Sequence, residues 1–245
     1  MDSSESILHL DGICKRFGGL TVLNNVSLDL EEDELVGLIG PNGAGKSTLF
    51  NIITSIYKPD TGDVYLRGKK ITGRAPYRLC HMGISRTFQL IKTFLDMTGL
   101  ENVMVGAIYG HKHSAKQARK RALEALELVE LSDKKDIIAE HMTLSDRRLL
   151  EVARALASMP LVTLLDEPMA GLNATESAKM QQVIRRAREE RNVSILWVEH
   201  KVDAIFHVCD RVVVLDYGLK IADGKPPEIG KNPKVIEAYL GEAPA

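Results

Sequence analysis

Apolar residues along this chain follow two rhythms. Residues 35–39, 161–165, 193–198 and 212–215 are short, nearly unbroken apolar runs, the pattern of strands buried on both faces of a parallel sheet. Residues 7–17, 20–30 and 63–67 instead alternate, or are set apart by the turn residues Gly18-Gly19 and Thr61-Gly62, which predicts an antiparallel β layer. From 98 to 159 the composition becomes helical, with 117–129 rich in Ala, Leu, Glu, Arg and Lys and 147–158 similar. A helix is also expected over 47–56, closed by Lys58-Pro59-Asp60, and Gly224-Lys225-Pro226-Pro227 predicts a turn before a last polar helix at 233–240. Strand-like and helix-like segments in this alternation predict an α/β fold with a flanking antiparallel layer.

One strand-to-helix junction carries chemistry. Gly40-Pro41-Asn42-Gly43-Ala44-Gly45-Lys46-Ser47-Thr48 fits the phosphate-binding pattern G-x-x-x-x-G-K-[ST], directly after the strand at 35–39 and at the start of the helix at 47–56. Glycines on such a turn let backbone N–H groups wrap a β-phosphate, and the positive end of the helix dipole points at the same place. Lys46 supplies a point charge for β- and γ-phosphates and Ser47 a hydroxyl for magnesium. The competing reading, a Gly-rich turn without chemistry, does not account for the strand–turn–helix context.

Other strand ends add reactive groups. Asp166 and Glu167 close an apolar run and are followed by Pro168, which cannot extend a ladder. Asp166 is placed to hold magnesium, and Glu167 to orient and deprotonate an attacking water; alone, the pair reads equally well as an acidic helix cap. His200 follows the run 193–198 and can contact a γ-phosphate. Gln89, after Ser85-Arg86-Thr87-Phe88, can complete a magnesium shell, and Phe17 can stack on an adenine ring.

Composition narrows the partners. The net charge of −1, from 32 basic and 33 acidic residues, provides no electrostatic footprint for nucleic acid. Lys112, His113, Lys116, Arg119, Lys120 and Arg121 form a basic stretch, but Glu124, Glu127 and Glu130 follow, as at the solvated start of a helix. Cys14, Cys80 and Cys209, widely spaced and odd in number, read as reduced, buried thiols. Residues 1–5 are polar and no apolar run nears the ~18 residues needed to cross a bilayer, so the chain is expected to stay inside the cell.

Together, Phe17, the loop 40–48, Gln89, Asp166-Glu167, Gly171-Leu172-Asn173 and His200 resemble, in order and spacing, the motifs of ABC-type ATPases over essentially the whole chain. The resemblance implies a single P-loop ATPase domain over 1–245, with a helical subdomain at 90–158, that binds ATP and Mg2+ between two head-to-tail cassettes. It implies an adenine-stacking role for Phe17, a Q-loop at Gln89, a metal-holding Asp166, a catalytic base at Glu167, a switch histidine at His200 and a D-loop at 170–173 that includes Asn173. The signature loop, usually L-S-G-G-Q, aligns without gaps on Met142-Thr143-Leu144-Ser145-Asp146, with Thr143 supplying the hydroxyl and Leu144 and Ser145 in place of glycines. If close approach to phosphate needs glycine conformations, forced strain there costs about 1–3 kcal/mol, so a weakened signature loop, acting on the partner's site, is expected.

Within that family, Lys15-Arg16-Phe17-Gly18-Gly19-Leu20, Gly83-Ile84-Ser85-Arg86-Thr87-Phe88-Gln89 and the ending Asn232-Pro233-Lys234-Val235-Ile236-Glu237-Ala238-Tyr239-Leu240-Gly241-Glu242 resemble branched-chain amino-acid importer ATPases. This implies two membrane permease subunits, a second, paralogous ATPase subunit (or a second copy of this chain), and an external solute-binding protein reached through the permease. It also implies a peripheral place on the cytoplasmic face of the membrane and a groove for a permease loop after Gln89. A lipid or lipopolysaccharide exporter ATPase, with a similar single cassette and ending, and a soluble non-transport ABC ATPase are the rival readings.

Overall fold

The structure, a computed structural model, describes residues 6–111 and 114–240. Lys112 and His113 of the basic stretch, residues 1–5 and Gly241-Glu242 of the family-like ending lie outside the described residues. In chain order the elements are β1 (Ser6–Phe17), β2 (Leu20–Glu31), β3 (Leu35–Ile39), α1 (Lys46–Ile53), β4 (Thr61–Leu66), β5 (Lys69–Lys70), α2 (Pro76–His81) and β6 (Ile84–Arg86). There follow α3 (Gly99–His111), α4 (Ala115–Leu128), α5 (Leu144–Ala157), β7 (Val162–Asp166), α6 (Ala174–Arg191) and β8 (Ser194–Val198). The last are α7 (Val202–Val208), β9 (Arg211–Asp216), β10 (Leu219–Gly224), α8 (Pro226–Ile229) and α9 (Pro233–Leu240). The described residues group into two units, one from 6–76 and 194–240, the other from those between 77 and 193.

In the first unit, β2, β1, β4 and β5 form an antiparallel sheet in that order, as the alternating segments predict. Leu8, Leu10, Leu28, Leu30, Val64 and Leu66 turn inward on it. The expected turn at Thr61-Gly62 is absent: both residues belong to β4, opposite an irregularity between Asp11 and Cys14 of β1. Gly62 is needed there for its backbone, with φ +86 and no room for a side chain against the carbonyls of Asp11 and Gly12. The unit's second sheet runs β10-β9-β3-β8, with β9, β3 and β8 parallel and β10 folded back antiparallel on β9. Every residue of β3 and β8 is buried, which is why these strands read as continuous apolar runs. Gly37 of β3 lies opposite Trp197 of β8, and its missing side chain leaves space for Ile205 of α7.

Helix α1 ends three residues short of the expected Ile56. Ser55 turns left-handed at φ 55, and the amides of Ile56 and Tyr57 both bond back to the Asn51 carbonyl. Helices usually stop in this way on glycine or asparagine, so a serine in that place leaves no signal to read. The turn expected at 224–227 carries a short helix, α8, whose opening Pro226 suits a first helical position.

In the second unit, β6 and β7 pair in parallel, with Arg86 opposite Leu164. The helical middle resolves into α3, α4 and α5 with short 3-10 turns at Ser132–Lys134 and Ala139–His141. Ser114 caps α4 through a reciprocal box with Gln117, and Lys116, Arg119 and Lys120 are exposed, as a solvated helix start predicts. Among the described residues, no helix is long and apolar enough to cross a membrane.

Gly62→Ala is expected to lower stability by about 2 kcal/mol or more, since the clashing atoms are backbone carbonyls that cannot swing away. Thermal unfolding checks it: an unchanged midpoint would mean β1 and β4 adjust at no cost.

Candidate active site

Pairing in the first unit sets the phosphate loop and His200 on one edge. Leu38 of β3 is opposite Val198 of β8, so parallel strands release the chain at Gly40 and at Glu199-His200 from neighbouring ends. The loop adopts backbone that only glycine takes readily: Gly40, Gly43 and Gly45 have φ of 151, 83 and 102. A side chain on Gly40 would press into the Leu215 carbonyl, and one on Gly45 into Leu23 and the Val22 carbonyl. The loop is pinned from outside as well, for the Gly218 amide, just after β9, donates to the Ala44 carbonyl at 3.1 Å.

Lys46 is buried, and its Nζ donates to the carbonyls of Gly40 at 2.6 Å and Pro41 at 2.9 Å. The ammonium is thereby held inside the curl of its own loop, which a phosphate's negative charge would complement. Asn42, Gly43 and Ser47 face solvent, while Pro41 and Thr48 are half-buried and Ala44 is buried. Glu199 is buried, and its carboxylate accepts the amide of His200 at 3.0 Å, which steadies the turn that presents an exposed His200.

Phe17 is 43% exposed at the end of β1, in an edge-to-face pair with Tyr57 at 5.2 Å between ring centroids. Lys15 lies 5.4 Å from the Phe17 ring. Tyr57 was not among the residues singled out by sequence, because it sits in the loop after α1 without any motif around it. An exposed aromatic braced by a second ring is a ready stacking surface.

In the second unit the β6–β7 pair does the same work for the acidic groups. Gln89 Nε2 donates to Glu167 Oε2 at 3.1 Å, and Thr87 Oγ1 accepts the amide of Asp166 at 3.1 Å. Asp166 is 3% exposed, ion-paired through Oδ2 to Arg86 Nη2 at 2.7 Å, and its Oδ1 is buried without a hydrogen-bond partner. Glu167 sits at φ 50, a left-handed conformation that costs a non-glycine residue about 1–3 kcal/mol. That backbone turn directs the chain away from β7 immediately after Asp166. Among the described residues no group of three His, Cys, Asp or Glu could hold a metal. In the second unit the amide oxygen that Gln89 retains while its nitrogen binds Glu167 and the orphaned Oδ1 of Asp166 are hard donors of the kind magnesium takes, and in the first unit the exposed Ser47 hydroxyl is a donor of the same kind.

The signature segment departs from expectation. Leu144 and Ser145 form the first turn of α5, and neither has a positive φ. Backbone strain is therefore not the cost of replacing glycine here; the difference from glycine lies in the side chains, a half-exposed Leu144 and a buried Ser145. Thr143 is the helix cap, accepting the Asp146 amide at 3.1 Å, while Asp146 accepts the Thr143 amide and pairs with Lys134 at 2.6 Å. Asn173 caps α6 in the same way, its side-chain oxygen accepting the Glu176 amide at 3.0 Å. A side chain on Gly171 would touch Leu144, so the 170–173 turn and the start of α5 lie side by side.

A family profile described as "ABC transporter" matches residues 23–170, and one described as "Branched-chain amino acid ATP-binding cassette transporter" matches residues 220–245. The High-affinity branched-chain amino acid transport ATP-binding protein LivG of Salmonella typhimurium is 39% identical over 254 residues, covering 98% of this chain and 100% of that protein. A crystal structure of the ADP conformation of an ATP-binding cassette of an ABC transporter superposes with a TM-score of 0.87 at 32% identity, covering 97% of this chain and 99% of the other. The dimeric structure of a bacterial ABC transporter cassette does so with a TM-score of 0.80 at 29% identity, over 89% and 98% of the two chains. The α/β fold with its antiparallel layer and helical middle is the one these cassettes have.

Burial pushes the Asp146 carboxyl upward, but hydrogen bonds from Lys134 and Thr143 outweigh it and hold the group below its ordinary value. A depressed carboxyl stabilises the fold above its unfolded pKa of about 3.9 and loses that contribution as pH falls through the lower folded value. Asp146→Ala should therefore unfold at lower urea than the native chain at pH 7, with the gap narrowing as pH falls below the ordinary carboxylate range. A gap that persists in acid would show that the carboxylate charge is not what caps α5.

Proposed function

We infer, from the premise that this chain belongs to the ABC transporter ATPases and within them to the branched-chain amino-acid cassettes, that it hydrolyses ATP to power a branched-chain amino-acid importer. The observation that carries the reading is the phosphate loop: three left-handed glycines curled around a buried lysine, in a chain similar along nearly its whole length to such a transport subunit.

Residues 40–48 bind the phosphates through backbone amides and Lys46, and Phe17, braced by Tyr57, stacks on the adenine. Ser47, Gln89 and Asp166 are the residues for Mg2+, which when bound supplies positive charge against the phosphoryl oxygens. Glu167 orients the attacking water and accepts its proton as the bond between the γ-phosphorus and ADP breaks, giving ADP and phosphate. His200 orients the same water or the γ-phosphate. Thr143, Ser145 and Asn173 act across the dimer, on the site of the partner cassette. The whole of 1–245 serves as one ATPase domain, with 90–158 as its helical subdomain.

Cassettes of this kind act as dimers in transporter complexes. The second cassette here is a paralogue or another copy of this chain, joined by two permease subunits and, through them, an external solute-binding protein. The chain then lies peripherally on the cytoplasmic face of the membrane, and its near-zero net charge suits no nucleic-acid role. For the permease contact, the loop after Gln89 exposes Leu90, Phe94 and Leu95, and backbone bonds from Ala139 to Met97 and from Glu140 to Leu95 set the exposed Ile137 and Ile138 alongside. Apolar side chains in one stretch of surface suit a packed helix of a membrane subunit. Branched-chain amino acids are the substrate class; a related small solute would use the same cassette.

Lys46→Ala should weaken ATP binding at least about tenfold, whereas Glu167→Gln should keep binding and lose roughly 100-fold or more of phosphate release. Fluorescent-nucleotide titration and a phosphate assay on the assembled transporter separate these. In cells, Glu167→Gln should abolish uptake of labelled leucine; unaffected uptake would remove the importer reading while leaving the ATPase.

A further inference from the structure

We propose that Arg86 is a positioning residue that serves Asp166 as a stand-in cation, holding the carboxylate when no metal is bound and competing with the metal that binds there. The inference rests on the metal-holding role given above to Asp166.

Three observations converge on Arg86. Its guanidinium meets Asp166 Oδ2 at 2.7 Å, with the two side chains only 7% and 3% exposed. The contact is fixed from both strands: Arg86 closes β6 opposite Leu164, and Thr87 binds β7 twice, its amide donating to the Leu164 carbonyl at 2.9 Å and its hydroxyl accepting the Asp166 amide. The guanidinium also lies 5.1 Å from the Phe88 ring, which limits its freedom. The arrangement is nevertheless incomplete, because Asp166 Oδ1 is buried without a partner. The adjacent acid, Glu167, is held by Gln89.

A buried carboxylate needs a counter-charge, and removing its partner is costly. Arg86 supplies that charge at one oxygen and leaves the other free for a hard cation or its water shell. A positive charge in direct contact also reduces the attraction of the carboxylate for a second cation. Arg86 thus keeps the metal-free protein stable and lowers its intrinsic hold on the metal. A lysine could offer the charge but not the planar fork that lies over Phe88.

The test uses the purified full chain with ATP and Mn2+ as probe, read by electron paramagnetic resonance, beside thermal unfolding in EDTA and in Mg2+ with ATP. Arg86→Met should lower the unfolding midpoint in EDTA by about 10 °C, recover roughly half of that loss on adding Mg2+ with ATP, and bind Mn2+ about tenfold more tightly. Arg86→Lys, which keeps a charge and guards against a variant that does not fold, should shift both readings in the same direction by less. Mn2+ affinity unchanged or weakened in both variants, or a stability loss equal with and without metal, would overturn the proposal and leave Arg86 a structural ion pair. Failure of the native chain to bind Mn2+ with ATP, with Lys46→Ala no different, would instead remove the nucleotide reading beneath it.

Discussion

Parallel pairing is the constraint on which the rest depends. Strands that run side by side in one direction must release the chain at the same edge, whatever separates them in sequence. In the first unit that rule puts the phosphate loop after β3 beside His200 after β8, although 160 positions separate Gly40 from His200. In the second it puts Gln89, after β6, within hydrogen-bonding reach of Glu167, after β7. The strands contribute no chemistry themselves. Their buried, largely apolar interiors provide the free energy of burial that holds the polar ends in register.

Those ends concentrate features that a fold avoids elsewhere. Lys46 is a buried cation, Asp166 a buried anion with one orphaned oxygen, and Glu167 a side chain on left-handed backbone. Fixed neighbours compensate the two buried charges, loop carbonyls for Lys46 and Arg86 for Asp166, while Gln89 holds the Glu167 carboxylate and leaves its backbone strain in place. Local strain and buried charge gather at functional positions more often than elsewhere in a fold.

The helical middle shows a second use of polar groups. Glu151 of α5 is buried, and burial pushes its carboxyl up, yet it accepts the Lys92 amide at 2.7 Å while Arg154 donates to the Lys92 carbonyl at 2.8 Å. One turn of α5 therefore grips both backbone groups of a residue three positions beyond Gln89. The start of that same helix is the signature segment, capped by Thr143 and Asp146. The loop after Gln89 and the 142–146 segment are thus fastened to one helix.

Much was legible in the sequence because it depended on local pattern. Continuous apolar runs located β3, β7, β8 and β9 to within a residue or two, alternation found β1 and β2, and the spacing of glycines before Lys46 and Ser47 marked the positive-φ turn between β3 and α1. These signals survive because burial on both faces and left-handed backbone each demand particular residue types in the chain itself. The tertiary structure alone decided the rest. Ser55 ends α1 without a glycine, Thr61-Gly62 continues a strand, and Leu144 and Ser145 take helical backbone where strain had been expected. Tyr57 behind Phe17, and Arg86 against Asp166, acquire meaning only from neighbours far along the chain. A residue type and its spacing specify what a position can do locally, but the partner of a buried charge is chosen by which strands lie side by side.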